Sequence, residues 1–374
     1  MNIGIICEYN PFHYGHLYQI NELKRMYPDS TITIVMSGWI TERGDLSLID
    51  KFKKADIALY YGVDLVVELP YKFIQSADYF AKGAIEILNK LGCNYIAFGS
   101  ESNDLEKLST LAKTQINNKK FDKLVKEYMK SESNYPTALN KALKDICGID
   151  VNDPNDILGV CYLKEIIKNK YNINPILIKR NSNYNSKKIE GKITSATSIR
   201  ELLKNNKSIK KYVPKYSYKN LKDVIFLDDY FDLIKYKIIS TDISVYQGID
   251  ENLKNRILSS INYSDNLDEL ICLIKSKKIT YNRVKRILTY ILLDIKKDSF
   301  NLDLEYMRIL GFNNNGKSIL NRIKKDIDIP ILTKYDPKYL SNDLKITNIL
   351  SLNKKIKDKK SFIEKEYKEK AIIY

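Results

Sequence analysis

The sequence predicts an α/β fold: a doubly wound parallel sheet over residues 1–212, followed by a mostly α-helical, basic region over 213–374. Three observations predict it. The first hundred residues alternate short apolar runs with amphipathic stretches at a spacing that fits βαβ units. Beyond Pro214 the apolar residues recur with helical period. The net charge of +16 on 374 residues is also uneven, with +4 on residues 1–200 and +12 on residues 201–374. Hydrophobic residues make up 44% of the chain, enough for packed cores. At ~100–200 residues per domain the length suits two or three domains.

Ile3 to Cys7 is a continuous apolar run, as expected of a strand buried on both faces. Gly15 to Met26 has helical period, and Thr31 to Met36 is the next strand. Asp50 to Tyr61 reads as a helix, Asp64 to Leu69 as a strand ended by Pro70, Ala77 to Leu91 as a helix, and Tyr95 to Phe98 as a strand. In such a sheet ligands sit beyond the carboxyl ends of the strands, so the loops after Cys7, Met36, Leu69 and Phe98 should line one crevice. Leu105 to Lys170 is mostly helical, Pro175 to Lys179 is one more strand, and Asn181 to Lys188 is a polar loop. Thr194 to Leu203 opens as a helix capped by Ser and Thr oxygens. The Lys- and Tyr-rich stretch Tyr212 to Tyr218, which carries Pro214, marks the domain boundary. Beyond it Leu227–Ile239, Asn252–Ser260, Leu267–Ser276, Tyr281–Ile295 and Leu302–Leu310 are expected to be helices. The lysine-rich tail from Asn353 to Tyr374 is expected to be a solvated helix or a frayed end.

The composition excludes several classes. Five cysteines without a Cys-x-x-Cys pair give neither a disulfide framework nor a zinc knuckle, and two histidines rule out a three-imidazole metal site. No run reaches the ~18 apolar residues of a membrane helix, and the start lacks the basic region and cleavage signal of an exported chain. A cytoplasmic protein is the expectation. A basic half beside a near-neutral half points to a polyanion partner, nucleic acid above all. Arg283, Lys285 and Arg286, close together on an expected helix, are the candidate contacts to RNA phosphates.

Both histidines of the chain fall in Glu8-Tyr9-Asn10-Pro11-Phe12-His13-Tyr14-Gly15-His16, which follows the first strand and opens the first helix. At a helix N-terminus, free N–H groups and the helix dipole favour an anion, and Gly15 lets a nucleotide approach the backbone. Imidazoles there can stabilise charge developing on an α-phosphoryl group as pyrophosphate leaves. A second segment, Thr194-Ser195-Ala196-Thr197-Ser198-Ile199-Arg200, offers hydroxyls and a guanidinium suited to phosphate oxygens.

Together these segments resemble the H-x-G-H and S-x-T-x-x-R pair of the nucleotidyltransferase superfamily, whose fold is Rossmann-like. The block from Cys7 to Tyr18, with Met36-Ser37-Gly38, Arg43-Gly44, the run from Asp64 to Pro70, the run from Ala77 to Ala84, Phe98-Gly99-Ser100-Glu101 and the run from Pro154 to Gly159, is similar to the tRNA(Met) cytidine acetate ligase family. The similarity resumes at Arg286-Ile287-Leu288-Thr289-Tyr290 and Arg308-Ile309-Leu310-Gly311-Phe312. The resemblance implies an ATP-dependent ligase that activates acetate as acetyl-adenylate and acetylates N4 of the wobble cytidine of elongator tRNA(Met). It implies catalytic His13 and His16 and an ATP site made of Ile6, Cys7, Glu8, Tyr9, Asn10, Pro11, Phe12, His13, Tyr14, Gly15, His16, Leu17, Tyr18 and Gln19 with Gly99, Asn155 and Arg180. Ser195, Thr197 and Arg200 match the phosphate-binding signature, and Mg²⁺ is expected to accompany ATP. The sequence departs from the family pattern at Trp39, where a small polar residue is expected, and at Glu42, where an amide is usual. Trp39 either stacks on a base or closes the pocket.

Two other motifs compete. Gly311 to Ser318 satisfies the P-loop pattern, but the expected helix before it makes Gly311 a helix C-terminal glycine instead. Asp228, Asp229 and Asp232 are read as the acidic first turn of a helix rather than as magnesium ligands. Two rival functions share the fold: a small-molecule adenylyltransferase of coenzyme biosynthesis, which needs no basic half, and a non-catalytic RNA-binding protein, against which the intact His13, Gly15, His16 and Arg200 argue.

Overall fold

The computed structural model describes residues 1–131, 134–179 and 194–374. The first region alternates as expected: β1 (Asn2–Cys7), α1 (Tyr14–Met26), β2 (Thr31–Ser37), α2 (Lys51–Tyr60), β3 (Leu65–Leu69), α3 (Ala77–Lys90) and β4 (Tyr95–Ser100). Helices α4 (Leu105–Asn117), α5 (Phe121–Lys130), α6 (Tyr135–Cys147) and α7 (Pro154–Asn169) lead to β5 (Asn174–Lys179) and α8 (Ala196–Lys204). Their starts follow local chemistry. The Asp50 and Asn134 side chains accept the backbone N–H groups of Lys53 and Thr137, and Pro154 takes the first turn of α7, where its missing N–H costs nothing. The expected polar loop over 181–188, like Arg180, lies outside the described residues.

Beyond residue 212 come α9 (Lys215–Asn220), α10 (Phe231–Ser240), α11 (Glu251–Ile261), α12 (Leu267–Ile274) and α13 (Tyr281–Leu293), the helical core that the periodicity predicts. The chain then departs from expectation. Residues 307–312 form not the end of a helix but β6 (Met307–Phe312), paired antiparallel with β3. After it come α14 (Asn314–Ile323), β7 (Ile331–Leu332), α15 (Pro337–Leu350), α16 (Lys359–Lys368) and β8 (Ile372–Ile373). The tail is therefore ordered rather than frayed, and β8 pairs with β6. The sheet runs β5-β4-β1-β2-β3-β6-β7, so the second half of the chain completes the sheet of the first. Chain direction from β1 passes to β2 on one side and to β4 on the other, which makes the carboxyl ends of β1 and β4 the topological switch point.

The P-loop pattern now has a strand before it and a helix after it, yet it makes no phosphate cradle. The Asn313 side chain accepts the N–H groups of Asn315 and Gly316. Gly316 packs so closely on Asp64 that an added Cβ would lie 2.1 Å from its carbonyl oxygen. The glycine serves packing, and the amides are already consumed. Asp228 and Asp229 are likewise engaged, by Lys204 at 2.8 Å and Lys355 at 2.7 Å.

Arg308 explains both departures. It is buried in β6 and pairs with Glu366 of α16, and its Nη1 lies 3.5 Å from Glu68 of β3. Lys51 of α2, also buried, reaches Glu366 at 2.8 Å, Glu68 at 3.0 Å and Asp343 of α15 at 3.4 Å. Burial pushes the carboxyls of Glu68 and Asp343 up, while Lys51 and Arg308 overcome burial at Glu366 and hold its carboxyl low. One turn after Lys51, the buried Lys54 ammonium donates to the carbonyl oxygens of Ser37 (2.7 Å), Glu8 (3.0 Å) and Gly38 (3.1 Å). Burial pulls its pKa down to about 8, so at neutral pH it still holds the three protons those acceptors require. The loops after β1 and β2 are thereby tied to one side chain. Among the described residues no helix is long and apolar enough to cross a membrane.

Removing one partner of a buried ion cluster costs ~3–5 kcal/mol. Lys51→Met is expected to lower the free energy of urea unfolding by about that much, and adding Glu68→Leu to recover most of it. Equal losses in the single and double variants would show that charge balance is not what joins these elements.

Candidate active site

The cleft at the switch point is lined by Ile6, Cys7, Glu8, Tyr9, Asn10, His13, His16 and Gln19 from β1 and the loop and helix after it. Of the other residues expected from the sequence, Gly99 from β4, Asn155 from α7 and Arg200 from α8 line it as well. Pro11, Phe12, Tyr14, Gly15, Leu17 and Tyr18 do not line it. Phe12 instead stacks on Tyr61 with ring centroids 5.2 Å apart, behind the loop, and Tyr18 is exposed. Ser195 caps α8 by accepting the Ser198 N–H, and Thr197 accepts from Arg200, so both stand behind the guanidinium. Arg180 lies outside the described residues.

The two histidines are held by the start of α1. The His13 Nδ1 accepts the Gly15 N–H at 3.0 Å, and the His16 Nδ1 accepts the His13 N–H at 3.2 Å. The rings stack with centroids 3.8 Å apart. An Nδ1 that accepts a backbone N–H carries no proton, so each neutral imidazole carries its proton on Nε2. The helix start therefore offers ring donors to the cleft in addition to its dipole. Tyr9, with φ of 46° in the left-handed region, is buried against Phe12 (4.9 Å) and His16 (4.7 Å), which fixes this unusual backbone.

Arg200 reaches across the chain. Its Nη1 donates to the Asn10 carbonyl at 2.9 Å, and its Nη2 lies 3.5 Å from Asp45. The two motifs, 190 residues apart, are thus joined directly. Asp45 is also paired with Lys285 of α13 at 2.8 Å. Burial works against the Asp45 carboxylate, but Lys285 and Arg200 outweigh it and hold the carboxyl below its ordinary value. Glu8, whose carboxyl burial pushes up, accepts the Glu42 N–H at 2.6 Å.

The loop after β2, expected at the crevice, supplies Thr41, Glu42, Arg43 and Asp45 to the cleft, although none of the four was among the expected ATP contacts. Arg43-Gly44 was the visible signal. Gly44, with φ of 82°, is required because an added Cβ would lie 2.5 Å from the Arg286 backbone nitrogen. Arg286 donates to the Glu42 carbonyl at 2.8 Å, so α13 seats this loop. Phe80, Phe98, Leu158 and Tyr162 supply apolar walls that spacing alone does not reveal. Trp39 does not line this cleft: its indole N–H donates to Thr347 at 3.1 Å and its ring packs on Phe362. Of the candidate RNA contacts, Lys285 and Arg286 are engaged by Asp45 and Glu42, whereas Arg283 is exposed and donates to the Gly248 carbonyl. The described residues contain no group of three or more His, Cys, Asp or Glu side chains able to hold a metal ion.

Comparison with known proteins gives the family. Residues 1–366 match the family model described as HIGH Nucleotidyl Transferase. The tRNA(Met) cytidine acetate ligase of Clostridium perfringens is 39% identical, with both chains covered in full, and that of Clostridium novyi is 38% identical over 92% of this chain and 93% of its own. The crystal structure of Thermotoga maritima TmcAL in its apo form superposes with a TM-score of 0.91 at 28% identity, covering 100% of this chain and 99% of the other. The same protein bound with alpha-thio ATP superposes with a TM-score of 0.85 over 96% and 97%. With its paired imidazoles and Arg200 at the switch point of the sheet, this chain belongs to the HIGH nucleotidyltransferases and, within them, to the tRNA(Met) cytidine acetate ligase family.

Proposed function

We propose that the protein activates acetate with ATP and transfers the acetyl group to N4 of the wobble cytidine of elongator tRNA(Met), in the cytoplasm. The observation that carries this reading is the meeting of His13, His16 and Arg200 in one cleft with the N-terminus of α1. An acetate oxygen attacks the α-phosphorus, the bond to the β-phosphate breaks, and pyrophosphate leaves. Nε2–H donors and a guanidinium placed there stabilise the charge that grows on the phosphoryl oxygens. In the second step the cytidine amine attacks the acyl carbon, AMP departs with the carbonyl–oxygen bond electrons, and the nitrogen loses a proton. ATP would lie along Ile6–Gln19 with its base and ribose toward Gly99 and Asn155. Mg²⁺ would ride on the phosphates, since the described residues offer no protein cage for it.

A small-molecule adenylyltransferase is the less favoured reading, because it leaves the +12 of residues 201–374 without a use. The charged cluster on α13 divides into two roles. Lys285 and Arg286 position the loop of Glu42 and Asp45, and Arg283 faces solvent, where it can meet a phosphate.

His16→Ala is expected to lower acetate-dependent exchange of pyrophosphate into ATP by ~10²–10³-fold. The lost cap should cost only ~0.5–2 kcal/mol of stability. Lys317→Ala should exchange normally, and near-normal exchange by the His16 variant would overturn the site. Arg283→Ala should reduce the slope of log tRNA affinity against log salt by ~0.7–0.9 and leave exchange intact. Lys285→Met, in contrast, should impair exchange, because Asp45 loses the partner that orders the loop. An Arg283 variant with an unchanged salt slope would place the RNA surface elsewhere.

A further inference from the structure

Beside the ATP cleft lies a second cavity of about 410 Å³, bounded by the starts of α3, α6 and α13 and by α7. It shares Glu42, Arg43, Pro154 and Leu158 with the cleft, so the two are neighbours across a single wall. Resting on the proposed function, we infer that this cavity receives the acceptor pyrimidine of the RNA, extruded from its strand, with the exocyclic amine directed past Arg43 and Leu158 to the acyl-adenylate.

Three features select that occupant. The floor is apolar, with Leu139, Ile157 and Leu158, and is far larger than the methyl group of acetate needs, while its volume lies in the ~300–1,000 Å³ range of small-molecule sites. Tyr135 stands among its lining residues with 46% of its surface exposed, the placing of an aromatic ring on which a base stacks. The rim carries Lys278 and Arg283, which pair with no carboxylate among the described residues, so the mouth is cationic where an RNA backbone must pass. Asn282 adds a carboxamide, able to both donate to and accept from a base edge. An apolar acid would account for the floor and, through its carboxylate, for a cation of the rim, but not for the Asn282 carboxamide and the exposed Tyr135 ring together. Enzymes that modify a base within a folded RNA must take it out of the stack, and the cost falls on a pocket beside the chemistry.

The test uses the full-length protein with a tRNA transcript that bears cytidine at the acceptor position. Tyr135→Ala and the space-filling Leu139→Trp are expected to leave acetate-dependent pyrophosphate exchange within about twofold of the parent. Each should slow single-turnover transfer from preformed acetyl-adenylate to tRNA by ~5–100-fold, the range of base–aromatic stacking. Tyr135→Phe should restore transfer, and tRNA affinity should change little in all three, since phosphates supply most of it. Transfer at the parental rate in both Tyr135→Ala and Leu139→Trp would overturn the inference. So would equal losses of exchange and transfer in folded variants, or exchange stimulated by longer apolar acids in the parent and lost in Leu139→Trp. Failure of the parent itself to exchange or transfer acetate would instead refute the function on which the inference rests.

Discussion

The buried cluster of Lys51, Glu68, Arg308, Asp343 and Glu366 is the constraint on which the architecture depends. Three carboxylates face two cations, and every one of these side chains is buried. Such groups are stable inside a protein only when all partners are in place. The five residues come from α2, β3, β6, α15 and α16, so the cluster requires the last seventy residues to close over the first seventy. Lys54, one helical turn from Lys51, then passes that constraint to the site. Its three carbonyl acceptors lie on the loops after β1 and β2, the first of which carries the histidines. A single helix thus faces the C-terminal elements through Lys51 and the cleft loops through Lys54.

The chemistry at the cleft depends on how the histidines are held rather than on their presence alone. Backbone N–H groups occupy both Nδ1 atoms, which fixes the tautomers. Imidazoles that carry Nε2–H groups suit an anionic triphosphate. Arg200 completes the arrangement through the Asn10 carbonyl, so the position of the cation is set by the loop it serves.

What the sequence revealed followed from how local each signal is. The strands β1 to β5, the capped start of α8 and the strand–loop–helix carrying His13 and His16 are dictated by neighbouring residues, and they were legible. Met307 to Phe312 was not, because Arg308 in a run with Asp303 and Glu305 has the spacing of an amphipathic helix. The partner that makes a buried arginine tolerable in a strand, Glu366, lies 58 residues further on. The tail holds the helix that was one of its two expected forms, but that this helix packs inward was not legible, since its lysines are visible in composition and its one buried glutamate is not. In the cleft, Glu8, Tyr9, Asn10, His13 and His16 were legible from one short block, whereas Glu42 and Asp45 are held there by Arg286 and Lys285 from far along the chain. Trp39 was misread because an isolated tryptophan suggests a base, while Thr347 and Phe362 were out of view.

These contacts also change what the basic half means. A charged appendage that only captured RNA could be separated from the chemistry, and its cations would all face solvent. Here α13 divides its cations. Arg283 points outward, Lys285 and Arg286 grip the loop that lines the cleft at the switch point, and Gly44 is glycine so that the α13 backbone can come close. Whatever docks against α13 therefore presses on the element that seats Glu42 and Asp45. An RNA docked on α13, as proposed, would be coupled to the geometry of the cleft through this contact of helix and loop, and such a coupling acts in both directions. A cleft organised by its nucleotide should present α13 in the arrangement that RNA prefers, and an RNA seated on α13 should hold the cleft loop closed on the adenylate.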